Sequence, residues 1–249
     1  MKTLSSIACL IVLLVPMAPA AAETEATALD SLVVEIWPDY DKASVLVLLT
    51  GALPAGGSLP ARVTLPLPAA AQVNAVARID SRDGVMRDDI LSAPSVGELT
   101  LITPDQAFRV EYYQPYTVKD KQRTFDFTWQ AGLSVARFRV KVQQPAAATS
   151  FRTAPAAADI VRDENGISYH TFPAQSVPAG KPFKLQVGYE MDLPRLTVQI
   201  QPPPSPVPAQ SVPQARTPFD QGTNWPFLAI LAGSVLVVLA LIWMVIRRK

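Results

Sequence analysis

Between residues 30 and 200 apolar and polar side chains alternate in short runs broken by Pro, Gly and Asp, the two-residue period of half-buried strands. Helical periodicity is absent from this stretch. The clearest run is Ser134 to Gln143, where Ala136, Phe138, Val140 and Val142 point one way and Arg137, Arg139 and Lys141 the other. Phe125, Phe127 and Trp129 repeat the alternation upstream, and Phe183, Leu185, Val187 and Tyr189 repeat it near the end. Further strands are predicted at Leu32 to Trp37, Val45 to Thr50, Arg62 to Leu67, Val73 to Ile79, Leu99 to Thr103, Phe108 to Tyr113 and Ile167 to Phe172. About ten strands in this length predict an all-β, antiparallel β-sandwich, either one large sandwich or two tandem immunoglobulin-like modules. The echo of Leu53-Pro54-Ala55-Gly56 in Val177-Pro178-Ala179-Gly180 fits shared turn chemistry, or two modules that divide near 115–120.

Two apolar segments flank this region. Residues 1–22 read as a secretory signal peptide: Lys2 begins it, Leu4 to Val15 forms the apolar stretch, and the small residues from Ala18 to Ala22 suit cleavage. Residues 225–246 carry no charge and match the roughly 20 residues that span a bilayer as a helix. Trp225 and Trp243 fall where indole rings suit the headgroup layers, and Arg247-Arg248-Lys249 mark a cytoplasmic tail, residues 247–249. Seven prolines in residues 201–224 preclude a helix there and predict a stalk, which at about 3.1 Å per residue would reach roughly 70 Å. The expected topology is a single pass through a bacterial cytoplasmic membrane, with the lipid bilayer as one partner and residues 30–200 outside the cytoplasm.

Composition narrows the chemistry. With 22 basic and 21 acidic residues the chain builds no broad positive field, which argues against nucleic acid. Cys9 is the one cysteine and lies inside the predicted leader, so the processed chain would lack thiol chemistry. His170 is the one histidine, which rules out a two-histidine zinc site, and alternation places it on a solvent-facing strand position. A Ser/His/Asp triad has no G-x-S-x-G elbow to support it. Asp80, Asp83, Asp88 and Asp89 could offer oxygen ligands to calcium, but their spacing departs from the known 12-residue loop, and Arg82 and Arg87 between them favour local pairing. No cofactor is expected.

Aromatic side chains crowd residues 108–129. Alternation sends Phe108, Val110 and Tyr112 to a core and leaves Tyr113 on the other face with Arg109 and Glu111. Tyr113, Tyr116, Lys119, Lys121 and Arg123 are therefore the candidate binding residues, an exposed aromatic and basic patch around a mobile loop. The alternative is a packed hairpin with a solvated tip.

The stretches EYYQPY, RTFDFTW and RFRVKVQQPAAATSF, followed by the C-terminal helix, resemble a family of bacterial exported proteins, itself uncharacterised, with one β-rich domain and a membrane anchor. The resemblance covers most of residues 30–200 and implies architecture alone. None of Asn74, Asn165 or Asn224 begins an N-x-S/T sequon, which also fits a bacterial origin. The expected function is a non-enzymatic, membrane-anchored binding or assembly module that contacts an envelope protein or membrane complex. An accessory that binds surface glycan or cell-wall polymer is the alternative, and a hydrolase ranks below both.

Overall fold

The computed structural model describes residues 23–200. The predicted leader, stalk, membrane helix and basic tail lie outside the described residues, and no helix among the described residues is long and apolar enough to cross a membrane.

In chain order the strands are β1 (Thr24–Glu25), β2 (Ala28–Pro38), β3 (Val45–Ala52), β4 (Ala61–Pro66), β5 (Gln72–Ile79), β6 (Met86–Arg87), β7 (Leu91–Ser95), β8 (Glu98–Thr103) and β9 (Ala107–Gln114). They continue with β10 (Thr117–Lys119), β11 (Gln122–Trp129), β12 (Ser134–Gln143), β13 (Ser150–Ala154), β14 (Asp159–Arg162), β15 (Ser168–Thr171), β16 (Gln175–Val177) and β17 (Phe183–Glu190). A single helical turn, α1 (Thr197–Ile200), follows. The described residues are thus all-β. Each of the ten strands expected from alternation is present, and the seven not foreseen are two to five residues long, too short for a period to register.

One nine-stranded sheet runs in the order β14-β15-β12-β2-β3-β9-β5-β6, with β16 also on β12. Two four-stranded sheets, β1-β4-β8-β7 and β10-β11-β17-β13, complete the fold. The large sheet takes strands from both sides of residues 115–120, since β2, from the first half of the sequence, pairs with β12 from the second. That ladder is parallel, as is β1 with β4, so two of the three sheets are mixed, while every ladder of β10-β11-β17-β13 is antiparallel. Alternation reports which face a side chain takes, and is silent on strand direction. In the β2–β12 ladder Leu32, Val34 and Ile36 lie opposite Phe138, Val140 and Val142, all buried.

The inner faces meet in one apolar core. It includes Val63 and Leu65 of β4, Leu99 and Leu101 of β8, Phe108 and Tyr112 of β9, and Phe127, Trp129 and Tyr189 of the third sheet. Phe138 of β12 packs between Trp129 and Phe183, with ring centroids 6.0 and 5.0 Å away. One detail of β12 departs from simple alternation: its pairing with β16 shifts register between Val135 and Phe138, so Val135 is buried while Ala136, expected on the core side, is exposed.

Candidate functional site

The connection from β2 to β3 gathers most of the aromatic and charged side chains that the sequence singled out. Pro38 ends β2, and Asp39 follows with φ of 46°, a left-handed conformation that Asp tolerates better than most residues. This turn directs the Asp39 carboxylate inward, where it is 3% exposed. Its Oδ1 accepts a 2.7 Å hydrogen bond from the Tyr116 hydroxyl, and its Oδ2 accepts one of 2.7 Å from Tyr189. The Arg123 Nε lies 3.5 Å from Oδ2 and balances the charge. The backbone carbonyls of Asp39 and Tyr40 accept from the amides of Thr197 and Val198, so the same turn also holds the segment after β17.

The neighbouring residues form a second group on the opposite face of the large sheet. The Tyr113 hydroxyl donates to Asp41 Oδ2 at 2.8 Å, and Lys42 Nζ stands 3.9 Å from the centre of the Tyr113 ring. Beneath lie Leu46 and Leu48, with Trp37 and Tyr40 packed beside them and their ring centroids 4.8 Å apart. Burial, reinforced by Asp41, pushes the Tyr113 hydroxyl up to about 12. Burial, reinforced by Asp39, does the same to Tyr116, and raises Tyr189 further. These phenols remain proton donors across the physiological range, which is what two adjacent carboxylates require of them.

The predicted patch therefore does not form one exposed surface. Tyr113 is 8% exposed and Arg123 is 7% exposed, both contrary to expectation. Tyr113 is drawn down by its apolar neighbours and covered by the Asp41–Lys42 turn, and Arg123 is drawn in by Asp39 and by the carbonyls of Lys121 and Met191. Tyr116 is half-buried. Lys119 and Lys121 are exposed on the β10–β11 hairpin, and Lys121 Nζ bridges to Asp192 at 2.7 Å. His170, expected to face solvent, is buried: its ring lies 4.3 Å from that of Phe151, and its Nε2 is 3.1 Å from Gln144 Oε1. It shares the inner face with Val142, its partner on β12, and burial lowers its pKa.

Three of the four aspartates between β5 and β7 are bound by arginines. Asp80 is buried and receives Arg82 at 2.6 and 2.9 Å, Arg87 at 2.9 Å and Arg78 at 3.4 Å. Arg87 also pairs with Asp83, and Arg78 with Asp89 and Asp105. The Arg82 hydrogen bonds hold the Asp80 carboxyl far below the ordinary range, and Arg78 lowers those of Asp89 and Asp105. Asp88 alone of the four candidate calcium ligands has no ion-pair partner among the described residues. No group of three or more His, Cys, Asp or Glu among the described residues is placed to hold a metal ion.

Sequence reasoning missed Asp39, Asp41 and Lys42 as partners of the aromatics. The available signal was the run Pro38-Asp39-Tyr40-Asp41-Lys42, a polar turn between two strongly apolar strands.

No family model and no curated protein matches the chain. Among solved structures, an M1 zinc metallopeptidase from Deinococcus radiodurans is 15% identical with a TM-score of 0.43, the match covering 65% of this chain and 42% of that one. A mutant of that enzyme with a bound Tyr-Ser-Ala substrate matches over the same shares at 15% identity and a TM-score of 0.42. The chain spans less than half the length of these structures.

Proposed function

We propose that the protein is a non-enzymatic binding or assembly module, a β-sandwich held by the 201–224 stalk and the 225–246 helix at the outer face of a bacterial cytoplasmic membrane, where it contacts an envelope protein or membrane complex. The observation that carries this reading is the concentration of exposed apolar side chains in residues 85–96. Val85, Met86, Leu91 and Val96 lie within twelve positions, and Leu91 and Val96 are 72% and 88% exposed. β6 and β7 end their respective sheets, so these side chains accompany strand edges that pair with nothing further among the described residues. Exposed apolar side chains at an open edge suit protein contact, because backbone pairing supplies affinity and side chains supply selection. The polar clusters around Asp39 and Asp80, by contrast, are consumed in internal pairing. Leader, stalk, helix and basic tail support the membrane placement from the sequence.

The glycan reading draws on the Trp37–Tyr40 ring pair, half-buried beside the exposed Asp41 and Lys42.

The deciding experiment is crosslinking in intact membranes followed by affinity purification of the tagged full-length chain, compared with a Leu91→Asp/Val96→Asp variant. A specific membrane-protein partner that the variant loses supports the proposal. The same recovery from both chains, or glycan co-purifying without protein, sinks it, and glycan recovery turns attention to Trp37 and Tyr40.

A further inference from the structure

Beside the exposed 85–96 stretch lies a cavity of about 340 Å³, lined by Ala75, Ala77, Met86, Asp88, Arg109 and Glu111. Its floor follows from pairing. Ala75 sits opposite Glu111 and Ala77 opposite Arg109 on the β5–β9 ladder, so two small side chains leave a trough on the face away from the core. The alternate residues of β9, Phe108, Val110 and Tyr112, are buried on the inner face.

Met86 of β6 forms one wall and is 53% exposed. The wall is held from behind: the next residue, Arg87, binds Asp80 at 2.9 Å and Asp83 at 2.6 Å, and Arg78 of β5 binds Asp89 at 2.7 Å. A cleft fixed in this way loses little conformational entropy when a ligand enters.

Charge sets the character of the rim. Arg109 pairs with Glu111 at 3.1 Å, while the exposed Asp88 carboxylate has no ion pair among the described residues. The lining therefore carries one uncompensated negative charge beside a mostly apolar space. We propose that this trough docks a protein segment in which an apolar side chain fills the space between Ala75, Ala77 and Met86 while an adjacent Lys or Arg pairs with Asp88. The inference rests on the binding-module reading and gives its partner a chemistry. The free edge of β6 lies alongside and can take the segment as an added strand.

The test places a benzophenone side chain at the rim, as Asn74→p-benzoylphenylalanine in the full-length chain, and crosslinks by light in intact membranes. Asn74 Nδ2 is 3.4 Å from Glu111, which puts it beside the trough without filling it. The expected product is a crosslinked peptide with an apolar residue within two positions of Lys or Arg. Ala77→Phe, which fills the trough, and Asp88→Lys, which reverses the rim charge, each lower its yield by about tenfold or more, with Asp88→Asn in between. Thermal melting of each variant establishes that it is folded. A yield indifferent to Ala77→Phe, or a captured segment without a basic residue, overturns the proposal. The same benzophenone substitution at Val96 separates the two levels: capture from position 96 and none from 74 overturns the trough and leaves the binding module standing, whereas capture from neither overturns both.

Discussion

The Tyr189 hydroxyl meets the Asp39 carboxylate at 2.7 Å across 150 positions of sequence. Through this contact the turn after β2, in the large sheet, is fastened to β17 in a small one, and the Asp39 carbonyl fastens the Thr197 amide as well. Asp39→Ala removes the acceptor for two phenols, leaves the Arg123 guanidinium buried without its counter-charge and puts a Cβ-bearing residue without a polar side chain at positive φ. The expected loss is about 3–5 kcal/mol. Tyr189→Phe, which removes one hydrogen bond to a charged group, is expected to lose about 1.5–3 kcal/mol. Urea denaturation of the purified protein measures both, and an Asp39→Ala chain as stable as the parent would dismiss the latch.

Gly51 is predicted to tolerate no side chain. A Cβ built there would lie 2.3 Å from Cζ of Phe108, its cross-strand partner, and the Phe108 ring is fully buried and cannot withdraw. Gly51→Ala should cost about 1–3 kcal/mol through overpacking. In a Phe108→Leu background the same Gly51→Ala change should cost less than it does in the parent, since the smaller side chain frees the space. A fully additive pair in denaturation would contradict this account.

The sequence made the core face of β9, β11 and β17 legible, because burial of one side imposes a period of two along most of their length, whereas β3 is buried on both faces and carries no such period. It left edges illegible: β7 and β14 are exposed along their whole length and carry no such imprint. Alternation also placed Tyr113 correctly opposite Tyr112, yet gave no means of knowing that its outer face is roofed by Tyr40 and Lys42 from the β2–β3 turn. The same limit explains His170. It shares its face with Val142, but that face is covered by Phe151 of another sheet, a relation that only tertiary packing creates.

His170 should make stability depend on pH. The groups around it are Gln144, Phe151, Val142 of β12 and Ile160 of β14, and no ion pair among the described residues involves its ring. Burial lowers the folded-state pKa below the ordinary 6.5, so the unfolded chain binds the proton first as pH falls. Stability is then expected to be level above about 6.5 and to decline below it. His170→Gln should flatten that decline between pH 6.5 and the onset of carboxylate titration, as read from Tm against pH. An unchanged slope would show that the proton is taken up elsewhere.

Asp80 and Asp88, separated by eight positions, should respond differently to the same change, the first losing stability and the second keeping it. Asp80→Asn strips three arginines of a shared buried acceptor, so Tm should fall at neutral pH. The Asp80 carboxyl is depressed in the fold, so its contribution is present above the unfolded value of 3.8 and is lost as pH drops below it. The Asp80→Asn variant should accordingly lose less further stability than the parent on acidification. Asp88→Asn should leave Tm unchanged, because that carboxylate is exposed and has no ion pair among the described residues. Calcium titration adds a control: with Asp80, Asp83 and Asp89 already engaged by arginine, millimolar calcium should not raise Tm. A calcium-dependent rise abolished by Asp88→Asn would instead make this loop a cation site and would take Asp88 away from the docking trough.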